Sequence, residues 1–177
     1  PYPYDRLKEV VQLAGEFAGG AVDLSVGTPC DAPPRRVLDA LANSGTERGY
    51  PTSVGSTAFR EAASMWMHRR LGIDVPPDHI AACIGTKELV VGTPHLLRLR
   101  SPERDTVWYP SVSYPSYARG ATLAGCRAVP VPVDRQWRLD LSAISPNDAE
   151  RAVCLWVNTP GNPAGGLDDL AAAAAWG

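Results

Sequence analysis

The sequence predicts an α/β fold with a mostly parallel sheet and flanking helices, preceded by a helical segment. Two observations carry this. From Ile80 to Gly177, short β-branched or aromatic runs alternate with helical stretches, the pattern of strands joined by crossover helices. Before that, helical spacing is broken by Gly and Pro. The first 75 residues therefore read as a helical arm and small-domain material beside the α/β layer. Size and balance agree. The 177 residues are 45% apolar and 20% charged, with a net charge of −2. That is an ordinary globular composition, of one domain or one and part of another.

The elements follow in order. Asp5–Ala18 sets Leu7, Val10, Val11, Leu13 and Phe17 at helical spacing, and Gly19-Gly20 ends it. Val22–Val26 is a short extended run closed by Gly27-Thr28-Pro29. Pro33 and Pro34 open a helix through about Asn43, with Val37, Leu38 and Leu41 on its apolar face. Gly49–Gly55 is a loop with Tyr50 isolated in it, and Ser56 or Thr57 caps a helix running to Leu71-Gly72. Ile80–Ile84 is expected as a strand. A helix from Thr86 to about Leu99 comes next, which Pro94 should kink or shorten. Thr106–Tyr109 reads as a strand and Ser116–Ala124 as a helix. Arg127–Val133 is extended, with Pro130 and Pro132 suiting an edge or irregular strand. Ala152–Val157 is a continuous apolar run, as for a strand buried on both faces. After the loop Asn158–Gly166 a further helix is expected near Leu167.

Several function classes fall away. No basic stripe suggests nucleic acid, and no apolar run approaches the roughly 18–20 residues that span a bilayer. Cys30, Cys83, Cys126 and Cys154 form no paired C-x-x-C, and His68, His79 and His95 share no ligand spacing, so no metal site is expected. Cys83 and Cys154 lie in apolar runs and read as buried free thiols. Reduced cysteines fit a cytoplasmic protein. Of 17 cationic side chains only Lys8 and Lys87 are lysines, so lysine chemistry has two candidates. A start at Pro1 without methionine, and an alanine run Ala171–Ala175 that reads as a helix cut partway, suggest a fragment.

Three segments carry chemistry. Ile84-Gly85-Thr86-Lys87-Glu88 joins a strand end to a helix start, where first-turn N–H groups and the helix dipole favour a phosphate. A plain capped junction would look the same. Pro110–Tyr117 (PSVSYPSY) sets Tyr114 and Tyr117 around Pro115 in a tight turn, where a ring can stack on a flat ligand or pack beneath the loop. Asn158–Gly166 (NTPGNPAGG) holds two Asn, two Pro and three Gly in nine residues, which makes Asn158 and Asn162 fixed hydrogen-bonding groups or parts of an ordinary loop. All three follow expected strands, and open α/β sheets bind ligands outside the strands' carboxyl ends.

Together these segments resemble the class I/II aminotransferases, pyridoxal-phosphate enzymes of fold type I, from about Val22 to Gly166. Asn158–Gly165 is similar to the motif N-x-P-x-N-P-T-G, with Ala164 in place of threonine. The resemblance implies that Asn162 hydrogen-bonds the ring hydroxyl of pyridoxal 5′-phosphate and that Tyr114 stacks on its pyridine ring. Gly85, Thr86 and Lys87 would form the phosphate cup. Tyr50, in GYPTSVG followed by Phe59-Arg60-Glu61, would reach the phosphate of the other subunit, implying a homodimer. Gly27, in DLSVGTP, would lie beside the substrate carboxylate. Residues 49–177 would then be an incomplete cofactor-binding large domain.

Within that family, VDLSVGTP, GYPTSVG and IGTKEL look most like the actinobacterial N-succinyldiaminopimelate aminotransferases of lysine and diaminopimelate biosynthesis. The implied reaction moves an amino group from N-succinyl-LL-2,6-diaminopimelate to 2-oxoglutarate. The family's cofactor-bonding lysine, its pyridine-nitrogen carboxylate and its carboxylate-binding arginine normally lie beyond the matched region. Neither Lys8 nor Lys87 suits the covalent role, so no catalytic residue is assigned, and this stretch alone is expected to be inactive. Three alternatives stay open: another class I/II aminotransferase, a fold-type-I carbon–sulfur lyase, and a non-catalytic aminotransferase-like sensing domain of a transcription regulator.

Overall fold

A computed structural model describes residues 3–24, 27–45 and 48–177. The chain divides into two compact units, Pro1–Tyr50 and Pro51–Gly177. The first holds a 3-10 turn, Pro3–Leu7, then α1 (Lys8–Gly15) and α2 (Arg35–Ala42). Pro34 precedes α2, and Asn43 bonds back to the Asp39 carbonyl (2.7 Å) to close it. The helix expected over Asp5–Ala18 is thus shorter and opens as a 3-10 turn. Ala21–Leu24 form no strand, and Ser25 and Val26 lie outside the described residues.

The second unit opens with α3 (Thr57–Leu71). Ser56 caps it by accepting from Phe59 N (3.2 Å), and Gly72 ends it in the left-handed region at φ 69°. After the 3-10 turn Pro77–His79, residues Ile80–Ile84 form no strand, against the sequence expectation. A strand needs a partner for its ladder, and among the described residues none lies beside it. Ala82 N instead donates to Val54 O (3.0 Å). Ile84 stays 96% exposed, and Cys83 is exposed rather than buried.

α4 (Thr86–Arg100) runs unbroken through Pro94, which is buried. A second correction follows: the proline does not shorten the helix. Its missing N–H leaves the Val90 carbonyl without a helical partner, and that carbonyl faces Gly120 of α5 (Ser116–Leu123).

The sheet has three parallel strands in the order β2 (Arg127–Val131), β1 (Thr106–Pro110), β3 (Ala152–Leu155). Central β1 is the most buried, and its alternation splits the core in two. Val107 packs with Ala121, Ala124 and Cys126, while Trp108 packs with Val131, Ile144 and Ala152. The apolar run of Ala152–Val157 does not mark the most buried strand. β3 stops at Leu155, takes an edge position and is mostly half-buried. Burial, and then the neighbouring Cys126, push the Cys154 thiol up to about 11. A short helix α6 (Pro146–Ala149) precedes β3. The last helix, α7 (Leu170–Trp176), starts three residues later than expected because Asp169 caps it, accepting from Ala171 N and Ala172 N. Among the described residues no helix is long and apolar enough to cross a membrane, and no group of His, Cys, Asp and Glu could hold a metal ion.

One ion pair ties the start of the sheet. Arg151 donates to Asp105 Oδ1 from Nε (3.0 Å) and to Oδ2 from Nη2, while the Arg151 carbonyl accepts from Asp105 N and Thr106 N. The Arg151 guanidinium holds the Asp105 carboxyl down at about 2. A depressed folded value stabilises above the ordinary value of 3.8 and is lost as pH falls from there through about 2. Both partners are part-exposed, so solvent screens the pair. Asp105→Asn is expected to lower the urea midpoint slightly at pH 7, and unfolding at pH 3 should show the gap from the parent protein narrowing.

Candidate active site

The N-terminus of α4 has no side-chain cap. Gly85 precedes it in extended conformation. Glu88 turns back to accept from Ile84 N (2.5 Å), so the one acidic group of the first turn is committed to the chain before the helix. Thr86 and Lys87 are exposed at this end. A Cβ at Gly85 would meet nothing within 4 Å, so the chain's own packing does not demand glycine there. The open space is what a close-approaching ligand would use.

The turn after β1 comes to the same place. Tyr114 is half-buried, and the Lys87 ammonium lies 5.7 Å from its ring centroid, within cation–π range. Tyr117 takes the packing alternative of the sequence reading. It lies on α5 rather than in the turn, is 7% exposed, and stacks on Trp156 with centroids 5.3 Å apart.

The third segment follows β3. Gly161 N donates to Gly166 O (2.8 Å), Gly165 N to Gly161 O (2.6 Å), and Asp168 N to Thr159 Oγ1 (3.1 Å). Asn158 and exposed Asn162 share a small crevice with Pro110 and Ser113 from the β1 turn. The structure thus gathers Gly85, Thr86, Lys87, Tyr114 and Asn162 on three segments joined in turn by the Lys87–Tyr114 contact and the crevice. Gly27 and Tyr50 belong to the first unit. Gly27 is exposed, and Tyr50 exposes 99% of its surface.

Comparison with known proteins gives this arrangement its family. The sequence pattern of "Aminotransferase class I and II" matches residues 20–172. The chain belongs to that family. This aminotransferase chain is 37% identical over 164 residues to 4-dedimethylamino-4-oxo-anhydrotetracycline transaminase OxyQ of Streptomyces rimosus, covering 93% of this chain and 42% of that protein. It is 32% identical to LL-diaminopimelate aminotransferase of Moorella thermoacetica, covering 96% and 44% respectively. Its fold matches a probable N-succinyldiaminopimelate aminotransferase of Thermus thermophilus with TM-score 0.83 and 31% identity, over 98% of this chain and 48% of that one. The chain therefore spans less than half the length of these relatives.

The cofactor of class I and II aminotransferases is pyridoxal 5′-phosphate, and the residues present fit its parts. An uncapped helix start suits the phosphate, a half-buried tyrosine suits a flat ring, and a side-chain amide suits a ring oxygen. Sequence reasoning missed the groups that hold the third segment in place. Asp168 Oδ1 accepts from Leu139 N (2.7 Å), and Trp137 backs onto Gly166. No local pattern marks either, because both partners come from a turn almost 30 residues away. Asp168→Ala strands the Leu139 N–H and is expected to cost about 1–3 kcal/mol in urea unfolding, whereas Asp168→Asn keeps an acceptor oxygen and recovers part of it.

Proposed function

We propose that the protein is a pyridoxal-phosphate transaminase moving an amino group between an amino acid and a 2-oxo acid. The observation that carries this is the Lys87–Tyr114 contact, together with the crevice that the same β1 turn shares with Asn158 and Asn162. Backbone N–H groups of Thr86 and Lys87 hold the phosphate, with the helix dipole behind them. The Tyr114 ring covers one face of the pyridine, and the Asn162 amide donates to its ring oxygen. When bound, the cofactor takes up the electron pair released as the substrate Cα–H bond breaks. Tyr50 reaches the phosphate bound by a second subunit in a cytoplasmic homodimer, and Gly27 lies beside the substrate carboxylate. Residues 1–48 serve as arm and small-domain segment, and 49–177 as part of the cofactor-binding domain.

For the donor we infer N-succinyl-LL-2,6-diaminopimelate, with 2-oxoglutarate as acceptor, in lysine and diaminopimelate biosynthesis. Support comes from VDLSVGTP, GYPTSVG and IGTKEL and from the names of the Moorella and Thermus relatives. The 37% identity to a tetracycline-pathway transaminase favours a second reading, an aminotransferase acting on a bulkier oxo compound. A spectral titration of the whole protein separates them. Added pyridoxal phosphate should give a visible absorption band, and N-succinyl-diaminopimelate should convert it to the pyridoxamine form. Conversion only by another amine removes the donor assignment, and no band at all removes the transaminase reading.

A further inference from the structure

We propose that the Tyr117–Trp156 ring stack is a positioning device that sets the gap between the Tyr114 turn and the Asn158–Gly166 loop. The inference rests on the cofactor reading above, since those two segments would grip the two sides of one flat ligand.

Each ring is fastened to one of the segments. Tyr117 N donates to Tyr114 O (3.3 Å), so the residue that stacks also closes the turn that carries Tyr114. Trp156 N donates to Trp108 O (2.9 Å), the last tie to central β1 before Asn158 begins the loop. The rings then meet at 5.3 Å with planes 26° apart. Trp156 Nε1 is buried with no hydrogen-bond partner, so no polar contact of the indole N–H orients the ring. A leucine or valine would fill apolar space there without such a buried donor. The tryptophan is better explained by what its flat face does, which is to hold Tyr117 at a fixed separation. Neither ring lines the crevice, so each acts there through its neighbours.

Trp156→Leu tests this, with Trp156→Phe as the conservative variant and Ile144→Val, in the other half of the core, as a control for plain loss of packing. Tyr117→Leu breaks the stack from the other side should Trp156→Leu fail to fold. Amide hydrogen exchange in the cofactor-free protein reads Tyr117 N for the turn, and Gly161 N and Gly165 N for the loop. Losing an aromatic pair should speed exchange about tenfold at all three amides together, and pyridoxal-phosphate affinity should fall by a similar factor. Trp156→Phe should stay within about twofold on both measures. Exchange in Trp156→Leu no faster than in Ile144→Val, or faster in only one segment, overturns the proposal. Coupled exchange with unchanged affinity overturns its bearing on the cofactor. A parent protein that takes up no pyridoxal phosphate instead sinks the cradle reading, and the exchange comparison still decides the stack.

Discussion

Gly166→Ala is expected to destabilise the protein by about 3 kcal/mol and to open the loop that carries Asn162. A Cβ at this buried position would overlap the Trp137 carbonyl oxygen and lie 2.7 Å from the carbonyl carbon. Overpacking is cheap when the obstacle is the tip of a flexible side chain. Here it is backbone, and that backbone is held from several sides. Trp137 sits at φ 63°, a region unfavourable for a bulky residue. Its N–H bonds to Asp134 O (3.0 Å), while the Asp134 carboxylate accepts from Gln136 N (2.8 Å) and Arg138 N (2.9 Å). Val133 and Leu139 pair across the base of the same turn. The turn cannot retreat, so Gly166 must, and the bond from Gly161 N to Gly166 O (2.8 Å) goes with it. Gly92→Ala is the matched control. It lies within α4 with nothing within 4 Å of its Cβ position, and helix propensity alone should raise stability by up to about 1 kcal/mol. Urea unfolding of the two variants should therefore move in opposite directions. Equal midpoints would show that the Trp137 turn yields.

Much of the central layer was legible in the sequence because its signals are local. Helix caps at Ser56 and Gly72, the β1 run after Asp105, and the proline-bearing edge strand β2 each carry their own chemistry in a few residues. The three segments proposed to face a ligand were singled out by local signals too, each as a loop after an expected strand, although Ile80–Ile84 forms none. What failed was non-local. Ile80–Ile84 has a strand's composition but no neighbouring ladder. The run Ala152–Val157 is apolar enough for a strand covered on both faces, and within this chain, which spans less than half the length of its relatives, β3 pairs on one side only. Hydropathy reports what a residue tolerates, and only pairing decides which strand is covered on both sides. Tyr117 shows how little spacing decides within the site. The Tyr114–Tyr117 spacing left ligand stacking and packing beneath the loop both open, and α5 carries Tyr117 into the core against Trp156.

Gly120→Leu carries the other large effect, and it links stability to the site. The Cβ position of Gly120 lies 3.0 Å from Val90 O, 3.0 Å from Val91 Cα and 3.1 Å from Val91 O, so α5 touches the backbone of α4 directly. The Val90 carbonyl that Pro94 leaves without a helical partner lies at the closest approach, and Pro94 itself is buried. Replacing Gly by Leu inside a helix gains up to about 1 kcal/mol in propensity. Forcing a branched side chain between two packed backbones costs about 3 kcal/mol or more, so the loss wins. The consequence reaches further than the helix contact. α4 carries Lys87 in its first turn, and α5 starts two residues after Tyr114, so prising the helices apart separates the ammonium from the ring it now overlies at 5.7 Å. Pyridoxal-phosphate affinity should then fall more than in a variant matched for stability, such as Ile144→Ala on the far side of the sheet. Gly120→Ala should give the same pair of effects at a fraction of the size. Thermal unfolding and cofactor titration on the three variants decide it. Affinity that tracks midpoint alone would mean that the α4–α5 contact supports the fold without aligning the phosphate cup to the Tyr114 turn.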